Sequence, residues 1–221
     1  SPHPSLPLVK YFYFPGFSAA TGGLLREHDL LVTRDAEIAQ CIRNDTLEIS
    51  LFCYDSAPVG ELLELLAESP PAVRLHVAPG QPLAAVAAHF GGNGPWQCGA
   101  LSVLPFEFLP QEDFDRLLWC CDINFVRGED SFVRAQWAAN TFVWQAYRQA
   151  DEAQLDKVDA FLQRYIVGLS ATGANAAVDL FQAWNSGCGL RQAWESFLAA
   201  RPEITTHNHH WAERLAGNRD L

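Results

Sequence analysis

The chain has 221 residues, 49% of them hydrophobic, and a formal net charge of −11 at pH 7. That length accommodates one large or two small domains, and the apolar fraction is enough to build a core. The charge argues against non-specific nucleic-acid binding, which needs clustered Lys and Arg, and no apolar run approaches the about 20 residues that span a bilayer.

Residues 1 to about 45 differ from the rest. Tyr11 to Phe17 reads as an aromatic strand ended by Pro15-Gly16, with a Gly-rich turn from Thr21 to Glu27 after it. Thr33 to Arg43 is compatible with a helix carrying Ile38 and Ile42 on one face. Nothing at Ser1-Pro2-His3-Pro4 resembles a signal peptide. From about residue 47 the pattern alternates. Leu47 to Tyr54 is an apolar strand, Gly60 to Glu68 a helix, Val73 to Val77 a strand, Leu83 to Phe90 a helix and Gly99 to Leu104 a third strand. Gln111 to Cys121 is a helix whose Phe114, Leu117, Leu118 and Cys121 follow the i, i+3, i+4, i+7 rule. Ile123 to Val126 is a strand, Ser131 to Ala138 its helix and Thr141 to Gln145 a fifth strand. Such alternation predicts an α/β fold: a Rossmann-like parallel sheet with helices on both faces. After about residue 150 only helices remain, around Leu155 to Ile166, Asn175 to Trp184 and Ala193 to Leu198, with a short last one at Trp211 to Leu215.

The stretch from Asp122 to Trp137 carries the most chemistry. It reads as a buried strand, a polar loop and a helix, and the loop places Arg127, Gly128, Glu129, Asp130 and Ser131 together. A loop between strand and helix lies at the carboxyl edge of the sheet, where open α/β folds bind ligands. The helix N-terminus suits a phosphate, and the carboxylates suit the hydroxyls of a sugar. The plainer reading makes Asp130 and Ser131 N-cap residues and lets Arg127 pair with Glu129. Phe52 and Tyr54, two apart, point the same way at a strand end, and Phe114 opens a helix. These rings suit stacking on a planar base or plain core packing.

Other chemistries lack their motifs. No GxGxxG follows the first strand, and neither a Walker lysine motif nor a GxSxG elbow occurs. Gly91-Gly92-Asn93-Gly94 reads as a loop. The six cysteines form no CxxC pair, so buried free thiols in a reducing cytosol are expected and no metal site is. His207, His209 and His210 read as a solvated loop before a C-terminal helix.

Several of these stretches have a family counterpart. The chain resembles the C-terminal half of the bacterial elongation factor P arginine rhamnosyltransferases. The matching segments are Tyr11 to Phe17, Thr21 to Glu27, Ser50 to Tyr54, Leu109 to Trp119 and Arg127 to Ala138. The resemblance implies GT-B architecture, two Rossmann-like domains facing a cleft. It also implies transfer of L-rhamnose from dTDP-β-L-rhamnose to an arginine of elongation factor P, with inversion and with no metal or other cofactor. Residues 1–45 would be the remnant of an N-terminal domain, largely absent, and 46–221 the nucleotide-sugar-binding domain with its helical tail. By resemblance, Phe52, Tyr54, Gln111 and Phe114 hold the thymidine end. Arg127, Glu129, Asp130 and Ser131 hold the sugar and diphosphate, with Glu129 in a supporting catalytic role. The family's catalytic Asn-Phe-Gly-Asp motif is missing from this sequence, so the chain alone is expected to be inactive. The resemblance further implies a bacterial cytoplasmic protein with no membrane or nucleic-acid partner. Three alternatives stay open: a glycosyltransferase with another donor or acceptor, a non-catalytic nucleotide-sugar-binding fragment, and a flavodoxin-like redox domain.

Overall fold

Five parallel strands and one antiparallel edge strand form the sheet at the centre of the computed structural model, which describes residues 4–9, 14–18, 20–41, 45–149 and 153–218. The strands are β1 (Leu47–Leu51), β2 (Val73–Val77), β3 (Trp96–Cys98), β4 (Leu101–Pro105), β5 (Ile123–Arg127) and β6 (Thr141–Gln145), in the order β3-β4-β2-β1-β5-β6. Successive residues of a strand face opposite sides. All five residues of β6 and four in a row of β5 are buried, so both faces of this half of the sheet are covered. That explains the continuous apolar runs in the sequence. The antiparallel edge was not expected. Trp96–Cys98 pairs antiparallel with Leu101–Val103 through a tight turn at Gly99, so the predicted third strand is the second arm of a hairpin. The first arm is three residues long and half exposed, too short to read from periodicity.

Each parallel strand is followed by a helix: α2 (Val59–Ala67), α3 (Gln81–Phe90), α4 (Gln111–Cys120) and α5 (Asp130–Ala138). The tail is α6 (Ala153–Tyr165), α7 (Ala171–Ser186) and α8 (Leu190–Ala216). The histidine cluster is not a loop. It lies inside α8, one continuous helix of 27 residues despite Pro202. Ile204, His207, Asn208, Trp211 and Leu215 form its buried stripe, a helical spacing in which two polar side chains stand where apolar ones are usual. Both find partners, as buried polar groups must. His207 Nε2 donates to the Tyr165 carbonyl at 2.6 Å, and Asn208 takes a hydrogen bond from the Tyr165 hydroxyl while donating to the Asn140 carbonyl. Trp211 Nε1 donates to Gln136 Oε1 at 3.0 Å. These bonds tie the last helix to α5, α6 and the α5–β6 turn, at the sheet edge opposite the polar loop.

The N-terminal segment packs on the same core. Leu24 and Leu30 are buried, Phe17 packs against Phe132, Phe161 and Trp211, and Trp137 Nε1 donates to the Leu25 carbonyl. Its helix α1 spans Leu30–Ile38, earlier and shorter than the predicted Thr33 to Arg43, and residues 42–44 lie outside the described set. Residues 11–13 of the predicted aromatic strand also lie outside it, and 14–17 are irregular. Because α1 packs against α4, Cys41 meets Cys120 in a disulfide with a Cα separation of 5.5 Å. This corrects the expectation that every cysteine is a buried thiol: Cys53 and Cys121 are buried outside any disulfide, while Cys98 and Cys188 are exposed. Among the described residues no helix is long and apolar enough to cross a membrane.

Candidate functional site

Strand order locates the site. After β1 the chain moves outward to β2, and after β5 it moves the other way to β6, so the segments leaving these neighbouring strands diverge. Divergence opens a crevice at the carboxyl edge of a parallel sheet. There the structure has a cavity of about 770 Å³. Phe52 lines it from the end of β1, Gly80 from the end of β2, Phe106 and Phe108 from the segment after β4, Gln111 and Phe114 from α4, and Arg127, Asp130, Ser131 and Arg134 from β5 and α5. The first turns of α4 and α5 thus open onto the cavity, bringing free backbone N–H groups to an anion-binding position.

Arg127 is the side chain around which the site is built. It ends β5, and its guanidinium carbon lies 4.3 Å from the Phe52 ring centroid and 4.7 Å from that of Tyr54. The period-2 expectation that these two rings share a direction is met by their sharing one cation. Its Nη1 donates to the Cys53 carbonyl at 3.1 Å and to Gln81 Oε1. Both acceptors are neutral. Among the described residues no carboxylate stands within ion-pair distance of Arg127, so the expected pairing with Glu129 is not formed and the charge is available to an anion.

The loop after β5 is held by its own chemistry. Ser131 Oγ donates to the Arg127 carbonyl at 2.6 Å and accepts from the Arg127 N–H at 3.1 Å. Gly128 sits at φ +64°, which favours glycine, and a Cβ there would approach the Tyr54 hydroxyl to 2.9 Å, so any side chain would also have to push that ring end aside. Trp144 Nε1 donates to the Gly128 carbonyl. The cap position of α5 is Glu129, without a side-chain cap bond, and Asp130 and Ser131 fall inside the first turn. The reading of those two as N-caps is therefore displaced by one to two residues, because Ser131 spends its hydroxyl on the loop.

Of the eight residues singled out in the sequence, six line the cavity: Phe52, Gln111, Phe114, Arg127, Asp130 and Ser131. Tyr54 stands behind Arg127, with its backbone N–H held by Gln145 Oε1 and its ring edge-on to Tyr147. Burial pushes its phenol up, and Arg127 opposes that. Glu129 is exposed on the rim. Cys53, beneath the site, has its thiol pushed up to about 12 by burial and is a packing residue rather than a nucleophile.

Sequence reasoning missed Arg134, Asp115, Gln81 and Phe108. Arg134 lines the cavity but is committed. It grips both Asp115 carboxylate oxygens and donates to Glu27 Oε2 at 2.8 Å. The pair is nearly dry, with side chains 10% and 5% exposed. Its signal was present but faint, a charged residue on the inner stripe of each of two amphipathic helices. Phe108, 88% exposed at the mouth, follows no periodic pattern. Among the described residues no group of three or more His, Cys, Asp and Glu is placed to hold a metal.

The model of the family described as Elongation-Factor P (EF-P) rhamnosyltransferase EarP matches residues 1–221. The chain belongs to the EarP family. A Pseudomonas putida protein-arginine rhamnosyltransferase is 40% identical over 240 residues, covering all of this chain and 63% of that protein. The Pseudomonas aeruginosa protein of the same name is 41% identical over 232 residues, covering 97% and 62%. A solved structure described as the structural basis for EarP-mediated arginine glycosylation of translation elongation factor EF-P superimposes with a TM-score of 0.83. That alignment has 38% identity over 95% of this chain and 72% of that one. The chain thus spans a little over three fifths of the length of the two Pseudomonas relatives.

Proposed function

We propose that this chain is the donor-binding part of a protein-arginine rhamnosyltransferase of GT-B architecture. The reaction would move L-rhamnose from dTDP-β-L-rhamnose to an arginine of elongation factor P, with inversion. The observation that carries the reading is the crevice between the ends of β1 and β5. Its aromatic walls suit a planar base, and Arg127, paired with no carboxylate among the described residues, stands at a helix N-terminus, as suits a diphosphate. Residues 46–221 form the nucleotide-sugar-binding unit in this reading, and residues 1–45 link it to an acceptor-side domain.

The chemistry assigns roles accordingly. Phe52, Gln111 and Phe114 hold the base. Tyr54 backs Arg127, and Arg127 with the first turn of α5 stabilises the diphosphate as the bond from the sugar C1 to its phosphate oxygen breaks. A guanidine nitrogen of the acceptor attacks C1 from the opposite face. Free arginine stays protonated, with a pKa above about 12, so a carboxylate beside it must position the guanidinium and take the proton it releases. That base is assigned to the acceptor-side domain, and Glu129 and Asp130 to sugar hydroxyls. No cofactor is needed, since the donor already carries the activated sugar. One further reading keeps the same crevice, a binding fragment that holds the nucleotide sugar without transferring it.

Transfer itself is the test. Full-length protein containing this chain is mixed with dTDP-β-L-rhamnose and elongation factor P, and the acceptor arginine is followed by mass spectrometry. Modification of one arginine is expected. Glu129→Ala should slow it at least about tenfold, a loss of about 1.4 kcal/mol in transition-state binding. Unchanged donor binding and turnover in Glu129→Ala removes that residue's role, and no modification with any donor leaves the binding fragment.

A further inference from the structure

Gln111 and Asp115 lie one turn apart on α4, and Gln111 Nε2 donates to Asp115 Oδ1 at 3.1 Å. Asp115 is buried, and both its oxygens are gripped by Arg134, itself steadied by Glu27 from the N-terminal segment. A carboxylate held between two guanidinium donors is an acceptor only. It therefore receives an N–H from Gln111 and has none to give. An amide free in solvent can present its oxygen and nitrogen either way round, but this one cannot, because turning it over would set Oε1 against a carboxylate oxygen. Gln111 lines the cavity with Phe114, so the bond to Asp115 fixes which way round the amide faces within that wall.

We propose that Asp115 is a specificity-determining positioning residue: by fixing the orientation of the Gln111 amide, it makes the site read a base with the N–H and carbonyl order of an imide. This deepens the donor reading above and rests on it. Thymine offers a ring N–H next to a carbonyl oxygen. Cytosine offers a bare ring nitrogen next to an amino group, the opposite order of donor and acceptor. An amide locked in one orientation matches one order and opposes the other, whereas an amide free to turn accepts both. The buried Asp115–Arg134 pair is then more than a structural tie, since the accepting oxygen it holds in place sets what Gln111 shows to the ligand. It also explains why Arg134 lines the cavity without serving as a second anion site.

Asp115→Asn separates these roles. The asparagine keeps the size of the side chain and gains an NH₂ able to donate to Gln111 Oε1, so the Gln111 amide can turn over. Calorimetric titration of the chain with dTDP and with dCDP reads the effect as a ratio of affinities. The wild type is expected to prefer dTDP by about tenfold or more, and Asp115→Asn to erase or reverse that preference. Gln111→Leu should erase it too. A folded Asp115→Asn chain that keeps the wild-type ratio overturns the proposal, as does a Gln111→Leu chain that keeps it. A wild type that binds both nucleotides equally fails the donor reading instead, and the role of Asp115 falls with it. If Asp115→Asn leaves Arg134 too uncompensated to fold, the double variant Asp115→Asn with Arg134→Met removes the stranded charge, and the same ratio decides.

Discussion

Arg127 concentrates the chemistry of this chain. Two aromatic faces and two neutral oxygens hold it at the end of β5, so it is ordered without being neutralised. A preorganised charge of this kind contributes most to an anion that replaces water. Arg127→Met keeps the length and packing of the stem and removes the charge. It should weaken dTDP binding by about 2–3 kcal/mol, or about 30- to 150-fold, with little change in melting temperature. An unchanged affinity in a titration would remove Arg127 from the anion site. Local reasoning reached this residue because Arg-Gly-Glu-Asp-Ser between an apolar strand and a helix leaves few other arrangements. It could not reach Asp115 and Arg134, since nothing in their own segments says that two helices will face each other there. Nor could it place Glu129 at the cap, because the hydroxyl of Ser131 serves the loop instead of the helix end.

Elements were legible where one force dominated. The strands β5 and β6 carry runs of large apolar residues because both sheet faces are covered there, and α4 shows a full amphipathic repeat. The failures come from competing signals. Pro202 and the His-Asn-His-His run look like a break, yet α8 continues because His207 and Asn208 find partners on Tyr165 and Asn140. That burial has a consequence for pH. Desolvation lowers the affinity of His207 for a proton, Arg214 and His210 add to the effect, and the Tyr165 carbonyl and Glu203 oppose it. The folded state therefore favours the neutral ring. As pH falls below the ordinary histidine value near 6.5, the unfolded chain takes up a proton that the folded chain resists, and stability drops. Thermal melts between pH 7.5 and 5 should show that loss, and His207→Gln should flatten it. A steeper or unaltered slope in the variant would show that other groups govern acid stability. The Cys41–Cys120 bond joins elements 79 residues apart, a constraint no single segment reveals. Denaturant unfolding of the oxidised chain should lose about 2–4 kcal/mol on adding a reductant, while Cys120→Ser should not respond. An identical midpoint with and without reductant would mean that the bond contributes nothing to stability.

The whole molecule is a Rossmann-like sheet with its crevice at the divergence of β1 and β5, roofed by aromatics from the segment after β4 and braced from below by the C-terminal helices. The N-terminal segment reaches into the same assembly: Glu27 touches the Arg134 that holds Asp115, and the Leu25 carbonyl is bound by Trp137. Strand order was not written in any one stretch of sequence, but alternation of strands and helices implied a parallel sheet, and a parallel sheet implies a crevice at its carboxyl edge. The identity of the ligand is the step at which residue pattern alone stops and family membership takes over. Calorimetric titration of this chain with dTDP-β-L-rhamnose, with UDP-glucose as the control, tests that step directly. Saturable binding of the rhamnose donor, weaker for the control and lost in Arg127→Met, is the predicted result. No preference between the two sugars, or donor binding that Arg127→Met leaves intact, would contradict the placement of the donor in this crevice.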